Sequence, residues 1–128
     1  MSKKILIAED ERPIANALVL KFNHSGFKAT AVHNGQEALD ILEKEDFDLM
    51  LLDLMMPKVD GFGVLEALQK KDKKPMIIVT SNLSQEEDAK KAKALGAKDY
   101  LVKSNTPLSK IVEHVSQLLN TWSTVLKN

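Results

Sequence analysis

Four short apolar runs each lead into a polar residue fit for phosphate or metal chemistry. Ile5 to Ala8 runs into Glu9 and Asp10, Leu49 to Leu52 into Asp53, Met76 to Val79 into Thr80, and Tyr100 to Val102 into Lys103. On neighbouring parallel strands these residues share the carboxyl edge of one sheet, where open parallel sheets bind ligands. Three carboxylates in one crevice repel each other unless a cation sits among them. The chain has no cysteine, and His24, His33 and His114 fall on other elements, so the donors on offer are all oxygen. Such a set selects a hard cation, Mg2+ first and Mn2+ as its substitute. Asp53 is then a candidate nucleophile, because a carboxylate can attack phosphorus and form an aspartyl phosphate. That reaction needs little beyond positioning and charge neutralisation. Thr80 would donate a hydroxyl hydrogen bond to a phosphoryl oxygen, and Lys103 would contact Asp53 or the phosphoryl group. Singly, Glu9 and Asp10 read as solvated loop acids, Thr80 as an ordinary strand residue and Lys103 as a solvated charge. Their joint occurrence at successive strand ends points to a site.

The elements that must position these residues alternate strand and helix five times. Residues 4–8 read as a buried strand from their unbroken apolar character. A helix follows with Pro13 in its first turn and Ile14, Leu18 and Phe22 on one face; it runs to about Ser25, and Gly26 stops it. Residues 28–32 form a second strand, and Asn34-Gly35 signals a turn. Helix two turns Ala38, Ile41 and Leu42 inward. Phe47 to Leu52 is strand three. Pro57 and Asp60-Gly61 mark a loop, and helix three carries Phe62, Leu65 and Leu68. The lysine-rich segment 70–74 reads as a solvated helix end favoured by the helix dipole, closed by Pro75. Residues 76–80 are strand four. Ser84 with Glu87 has the spacing of a capping box, and helix four ends near Leu95-Gly96. Asp99 to Val102 is strand five. Leu108, Ile111, Val112, Val115, Leu118, Leu119 and Trp122 give the last helix the clearest period in the chain, with Trp122 assigned to packing ahead of a partner contact. Five such units make a three-layer α/β domain, for which a flavodoxin-like strand order of 2-1-3-4-5 is the natural choice. Glu9, Asp10 and Asp53 then converge at the switch point between strands one and three.

A chain of 128 residues, 44% hydrophobic, suits one domain with a real core. We expect a single domain over 1–128, with 120–128 as helix end or tail. Lys and Arg total 18 and Asp and Glu 18, without the basic excess of a nucleic-acid binder, so no direct nucleic-acid contact is expected. No apolar stretch is long enough for a bilayer and no signal-peptide pattern is present; the expectation is a cytoplasmic protein away from membranes.

These motifs carry a resemblance. The chain resembles the receiver domain of two-component response regulators over nearly its whole length, in the manner of stand-alone chemotaxis regulators. The matching residues are Ile5 to Glu11, Leu51 to Pro57 with Asp60-Gly61, Ile77 to Ser81, and Gly96 to Lys103. Known members of the family have the 2-1-3-4-5 order, so that order is not an independent prediction. The resemblance implies that Asp53 accepts a phosphoryl group from the phosphohistidine of a sensor kinase or phosphotransfer protein. It implies that Glu9, Asp10 and Asp53 hold Mg2+ with the backbone carbonyl of Met55. Thr80 would follow the phosphoryl group and couple to Tyr100, whose ring would turn inward. The surface of helix four, strand five and helix five would change and meet a downstream protein. The protein would be a monomer or a phosphorylation-dependent dimer, and no enzyme beyond its own phosphoryl transfer and dephosphorylation. Nothing after helix five reads as an output domain, so output would pass through a partner, a dimer or onward phosphoryl transfer; a piece cut from a longer chain also fits.

Two positions depart from the family pattern. Its members commonly have Pro after the lysine, often with a cis bond, whereas Ser104 follows Lys103 here and Pro107 comes later. A cis bond to a non-proline residue costs about 2.5–4 kcal/mol, so either that strain is retained or the loop takes another path. The resemblance also implies that the residues two after Asp53 and two after Thr80 tune attack by water; these are Met55 and Asn82. Met55 offers no strong hydrogen bond to that water, which implies a long-lived phosphorylated state. Two rival readings are weaker. A haloacid-dehalogenase-like phosphatase needs a second Asp where Met55 stands. A flavodoxin-type cofactor module needs a phosphate loop where Glu9-Asp10-Glu11-Arg12 would repel phosphate. A receiver-like module that is never phosphorylated is a third alternative, against which the intact set Glu9, Asp10, Asp53, Thr80 and Lys103 argues.

Overall fold

Apolar runs too short for helices form the sheet, and amphipathic segments between them form its two coats. The computed structural model describes residues 2–83 and 85–127, with 121–127 described by backbone alone. In chain order the elements are β1 (Lys4–Ala8), α1 (Arg12–His24), β2 (Lys28–Val32), α2 (Gly35–Lys44), β3 (Leu49–Asp53) and α3 (Gly61–Leu68). They continue with β4 (Met76–Ser81), α4 (Glu86–Ala94), β5 (Asp99–Val102), a 3-10 turn (Lys103–Asn105) and α5 (Leu108–Lys127). The five strands lie parallel in the order β2-β1-β3-β4-β5, the expected flavodoxin-like topology.

Side chains of a strand alternate between its faces, and that alternation divides the core. Ile5, Ile7, Leu49, Leu51 and Ile78 pack with Leu18 and Phe22 of α1 and with Ile111, Val115 and Leu119 of α5. Leu6, Ala8, Met50, Leu52, Ile77 and Val79 pack on the other face with Ala38, Val64, Leu65, Leu68 and Ala92 of α2, α3 and α4. Both faces are covered, which is why the strands read as unbroken apolar runs rather than alternating ones.

Several local readings need correction. β3 begins at Leu49 rather than Phe47; Asp48 instead turns its carboxylate to the Lys4 amide at 2.7 Å, and the Phe47 ring sits 4.8 Å under the Lys4 ammonium. α3 ends at Leu68, so the lysines of 70–74 lie beyond the helix, where Lys71 meets Glu43 and Lys73 meets Asp46. α4 starts at Glu86 with Gln85 in the cap position and no side-chain cap bond; Glu86, Glu87 and Asp88 supply the negative charge that its first turn favours. Ser84 and the side chain of Trp122 lie outside the described residues. The Asn34-Gly35 and Asp60-Gly61 pairs prove to be helix starts. Asn34 accepts from the Glu37 amide and Asp60 from the Gly63 amide, each at 2.8 Å. Gly61 has a steric reason as well: a Cβ there would lie 2.6 Å from the Asp53 carbonyl oxygen.

Candidate functional site

The register brings the strand-end residues together. Ala8 pairs with Leu52 and Asp53 with Thr80, so Glu9 and Asp10 leave β1 beside the end of β3. Carboxylate oxygens of Glu9, Asp10 and Asp53 lie within 4.8 Å of one another. Glu9 is 2% and Asp53 3% exposed, whereas Asp10 stands in solvent. Thr80 is buried one strand over.

Lys103 closes the arrangement. Its Nζ lies 3.1 Å from Asp53 Oδ2 and also pairs with Glu9 Oε1. The peptide bonds of the described residues are all trans, and the chain beyond Lys103 follows the second of the two expected paths: it winds into the 3-10 turn and enters α5 on the Pro107 carbonyl, which accepts from the Ile111 amide at 3.1 Å. The lysine therefore reaches the carboxylates without proline after it.

Backbone donors hold the acids in place. Glu11 N–H donates to Glu9 Oε2 at 3.1 Å, and Met55 N–H donates to Asp53 Oδ1 at 3.2 Å. Burial raises the Glu9 carboxyl to about 7, against the hydrogen bond from Lys103 and with help from the Asp53 charge. Burial also lifts Asp53 above its ordinary value although Lys103 opposes it. For Lys103 burial disfavours the charge, but the Glu9 and Asp53 carboxylates outweigh it and the ammonium is held above its usual value. Two buried acids sharing one ammonium carry surplus negative charge, and Asp10 adds to it at the mouth. An oxygen-only donor set of this charge fits a divalent cation.

The open crevice over these residues, about 620 Å3, is lined by Asp10, Asp53, Met55, Phe62, Asn82 and Lys103 among others. Met55 projects into solvent, 59% exposed. Beneath Lys103 a small cavity of about 80 Å3 touches Glu9, Thr80 and Thr106. Tyr100 is partly buried against the α4 side of the core. It pairs in register with Val79, and its hydroxyl donates to the Leu83 carbonyl at 2.8 Å, in the loop between β4 and α4. At the same rim the Lys91 ammonium of α4 lies 4.4 Å over the Phe62 ring of α3. The sequence reading did not find the Glu11 amide, the Leu83 carbonyl or His33, whose ring meets the Glu9 carbonyl. Backbone groups carry no sequence signal, but His33 stands at the carboxyl end of β2, on the edge that located the others.

The model of the response regulator receiver domain family matches residues 5–116. The chain belongs to that family. This receiver domain is 40% identical over 105 residues to "Probable transcriptional regulator ycf27" of Porphyridium aerugineum, covering 82% of the chain and 43% of the relative. It is 33% identical over 118 residues to "Regulatory protein VanRc" of Enterococcus gallinarum, covering 92% of the chain and 51% of the relative. The chain thus spans about half the length of these curated relatives. Among solved structures, the receiver domain of Francisella response regulator 1452 superposes with a TM-score of 0.86 at 29% identity, over 94% of this chain and 98% of that one. Relatives named as regulators of transcription lend no support to the expected absence of nucleic-acid contact. Among the described residues no helix is long and apolar enough to cross a membrane.

Proposed function

We propose that this receiver domain is a phosphorylation-controlled switch with Asp53 as its phosphoryl acceptor. One observation carries the reading: the Glu9, Asp10 and Asp53 carboxylates converge at the sheet edge with the Lys103 ammonium set between two of them. The cation that suits this donor set is Mg2+, with Mn2+ as substitute, held by Glu9, Asp10, Asp53 and the Met55 backbone carbonyl. When bound it neutralises charge between the acceptor carboxylate and the incoming phosphoryl oxygens.

The phosphodonor is the phosphohistidine of a sensor kinase or phosphotransfer protein. An Asp53 oxygen forms a bond to phosphorus while the bond from phosphorus to the donor's imidazole nitrogen breaks; that nitrogen leaves with the electron pair and takes up a proton. Lys103 follows the new negative charge, and Thr80 gives its hydroxyl hydrogen to a phosphoryl oxygen. Tyr100 and the loop at Leu83 respond, and the surface of α4, β5 and α5 is re-presented to a downstream protein or a second copy of the domain. The chain turns over no other substrate in this reading.

Incubation with acetyl phosphate and Mg2+, read by intact mass, tests it. Wild type gains one phosphoryl group, Asp53→Ala gains none, and EDTA abolishes the gain. Equal modification of wild type and Asp53→Ala would refute the assignment.

A further inference from the structure

We propose that His33 is a positioning residue for the acidic site. Its Nδ1 lies 3.0 Å from the backbone carbonyl oxygen of Glu9, across 24 residues of sequence. A carbonyl oxygen only accepts, so Nδ1 carries the proton and donates it. The peptide group held in this way is the one that joins Glu9 to Asp10.

The remaining contacts of Glu9 make the hold complete. Its amide donates to the Val32 carbonyl at 3.0 Å, so both main-chain polar groups of Glu9 are anchored from the end of β2. Its side chain is spanned by the Glu11 amide on Oε2 and by Lys103 on Oε1. His33 is itself fixed: its amide donates to Glu37 Oε1 at 2.8 Å, and Asn34 beside it caps α2. The start of α2 is pressed against the loop that follows Asp53, where a Cβ on Gly35 would lie 1.9 Å from the Val59 carbonyl oxygen. The β2–α2 junction therefore touches both the Glu9 backbone and the loop that follows Asp53. The imidazole sets the tilt of the peptide from which two of the three carboxylates diverge, and a carboxylate cage tolerates little rotation at that root.

The inference rests on the cation-binding reading above, and the test separates the two. Mg2+ is titrated by calorimetry into wild type, His33→Leu and His33→Asn, with melts in EDTA run alongside. An asparagine amide places an N–H where Nδ1 stands; leucine places none. We expect His33→Leu to weaken Mg2+ binding about fivefold, the order set by one hydrogen bond, while His33→Asn stays within about twofold of wild type. Equal affinities for all three proteins overturn the role of His33, as does equal weakening in both variants. Absence of Mg2+ binding by wild type would instead overturn the cation site itself.

Discussion

Lys103 Nζ stands 3.1 Å from Asp53 Oδ2 and pairs at the same time with Glu9, so one ammonium serves two buried acids. The consequence is a competition. A divalent cation at the proposed site would compete with the lysine for the charge of Glu9 and Asp53.

Replacing Lys103 with methionine keeps the stem and removes the charge. In EDTA this should cost about 3 kcal/mol of stability, the low end for a broken buried ion pair because Glu9 can take up a proton instead. Mg2+ should recover much of the loss and bind the variant more tightly than wild type. Urea melts with and without Mg2+ give both quantities; a variant as stable as wild type in EDTA would contradict the pairing.

The raised Glu9 carboxyl gives the metal-free protein a pH signature. Its folded value is about 7 against an ordinary value of 4.5, so between these the folded state binds more protons than the unfolded one. The favourable contribution is complete below about 4.5 and is lost as pH rises through about 7. Urea melts in EDTA should show stability falling by on the order of 2 kcal/mol from pH 5 to pH 8. Apparent Mg2+ affinity should rise over the same interval, since the ion displaces the proton. A flat profile in EDTA would remove Glu9 from the account.

Met55 and Asn82 line the crevice over Asp53, and Met55 projects freely. Thioether sulfur orients water poorly, so the phosphorylated protein should decay over minutes rather than seconds once the donor is removed. Met55→Asn, which offers an amide to that water, should shorten the lifetime severalfold. Loss within seconds from wild type would contradict this role for Met55.

Much of this was legible in the linear chain. Apolar runs of strand length at 4–8, 49–52 and 76–79 announced a sheet buried on both faces, and the polar residues after them announced an edge where chemistry collects. What the linear chain does not show depends on contacts remote in sequence or made by the backbone. Phe47 looks like strand but stays outside β3 under Lys4. Asn34-Gly35 and Asp60-Gly61 have the composition of turns but serve as helix starts, because the Asn34 and Asp60 side chains cap the first helical amides and the glycines admit a neighbouring backbone where a side chain cannot fit. The residues after Lys103 leave two paths open, a strained cis bond or another course of the loop, because the types of Ser104 and Asn105 carry no signal for the 3-10 turn that forms.

α4 is the lightly moored part of the molecule. Among the described residues it sinks only Ala92 into the core. Its other ties at the rim are Lys91 over Phe62 and, through the loop before it, the Tyr100 hydroxyl on Leu83. Each tie is worth about 1 kcal/mol, less than the roughly 1.5–3 kcal/mol of a single charge-assisted hydrogen bond to a phosphoryl oxygen. A covalent event at one oxygen of β3 can therefore re-seat an entire helix while α1, clamped into the core by Leu18 and Phe22, stays still. The domain transmits a message because its stiffness is unevenly shared, with one corner built to yield before the rest.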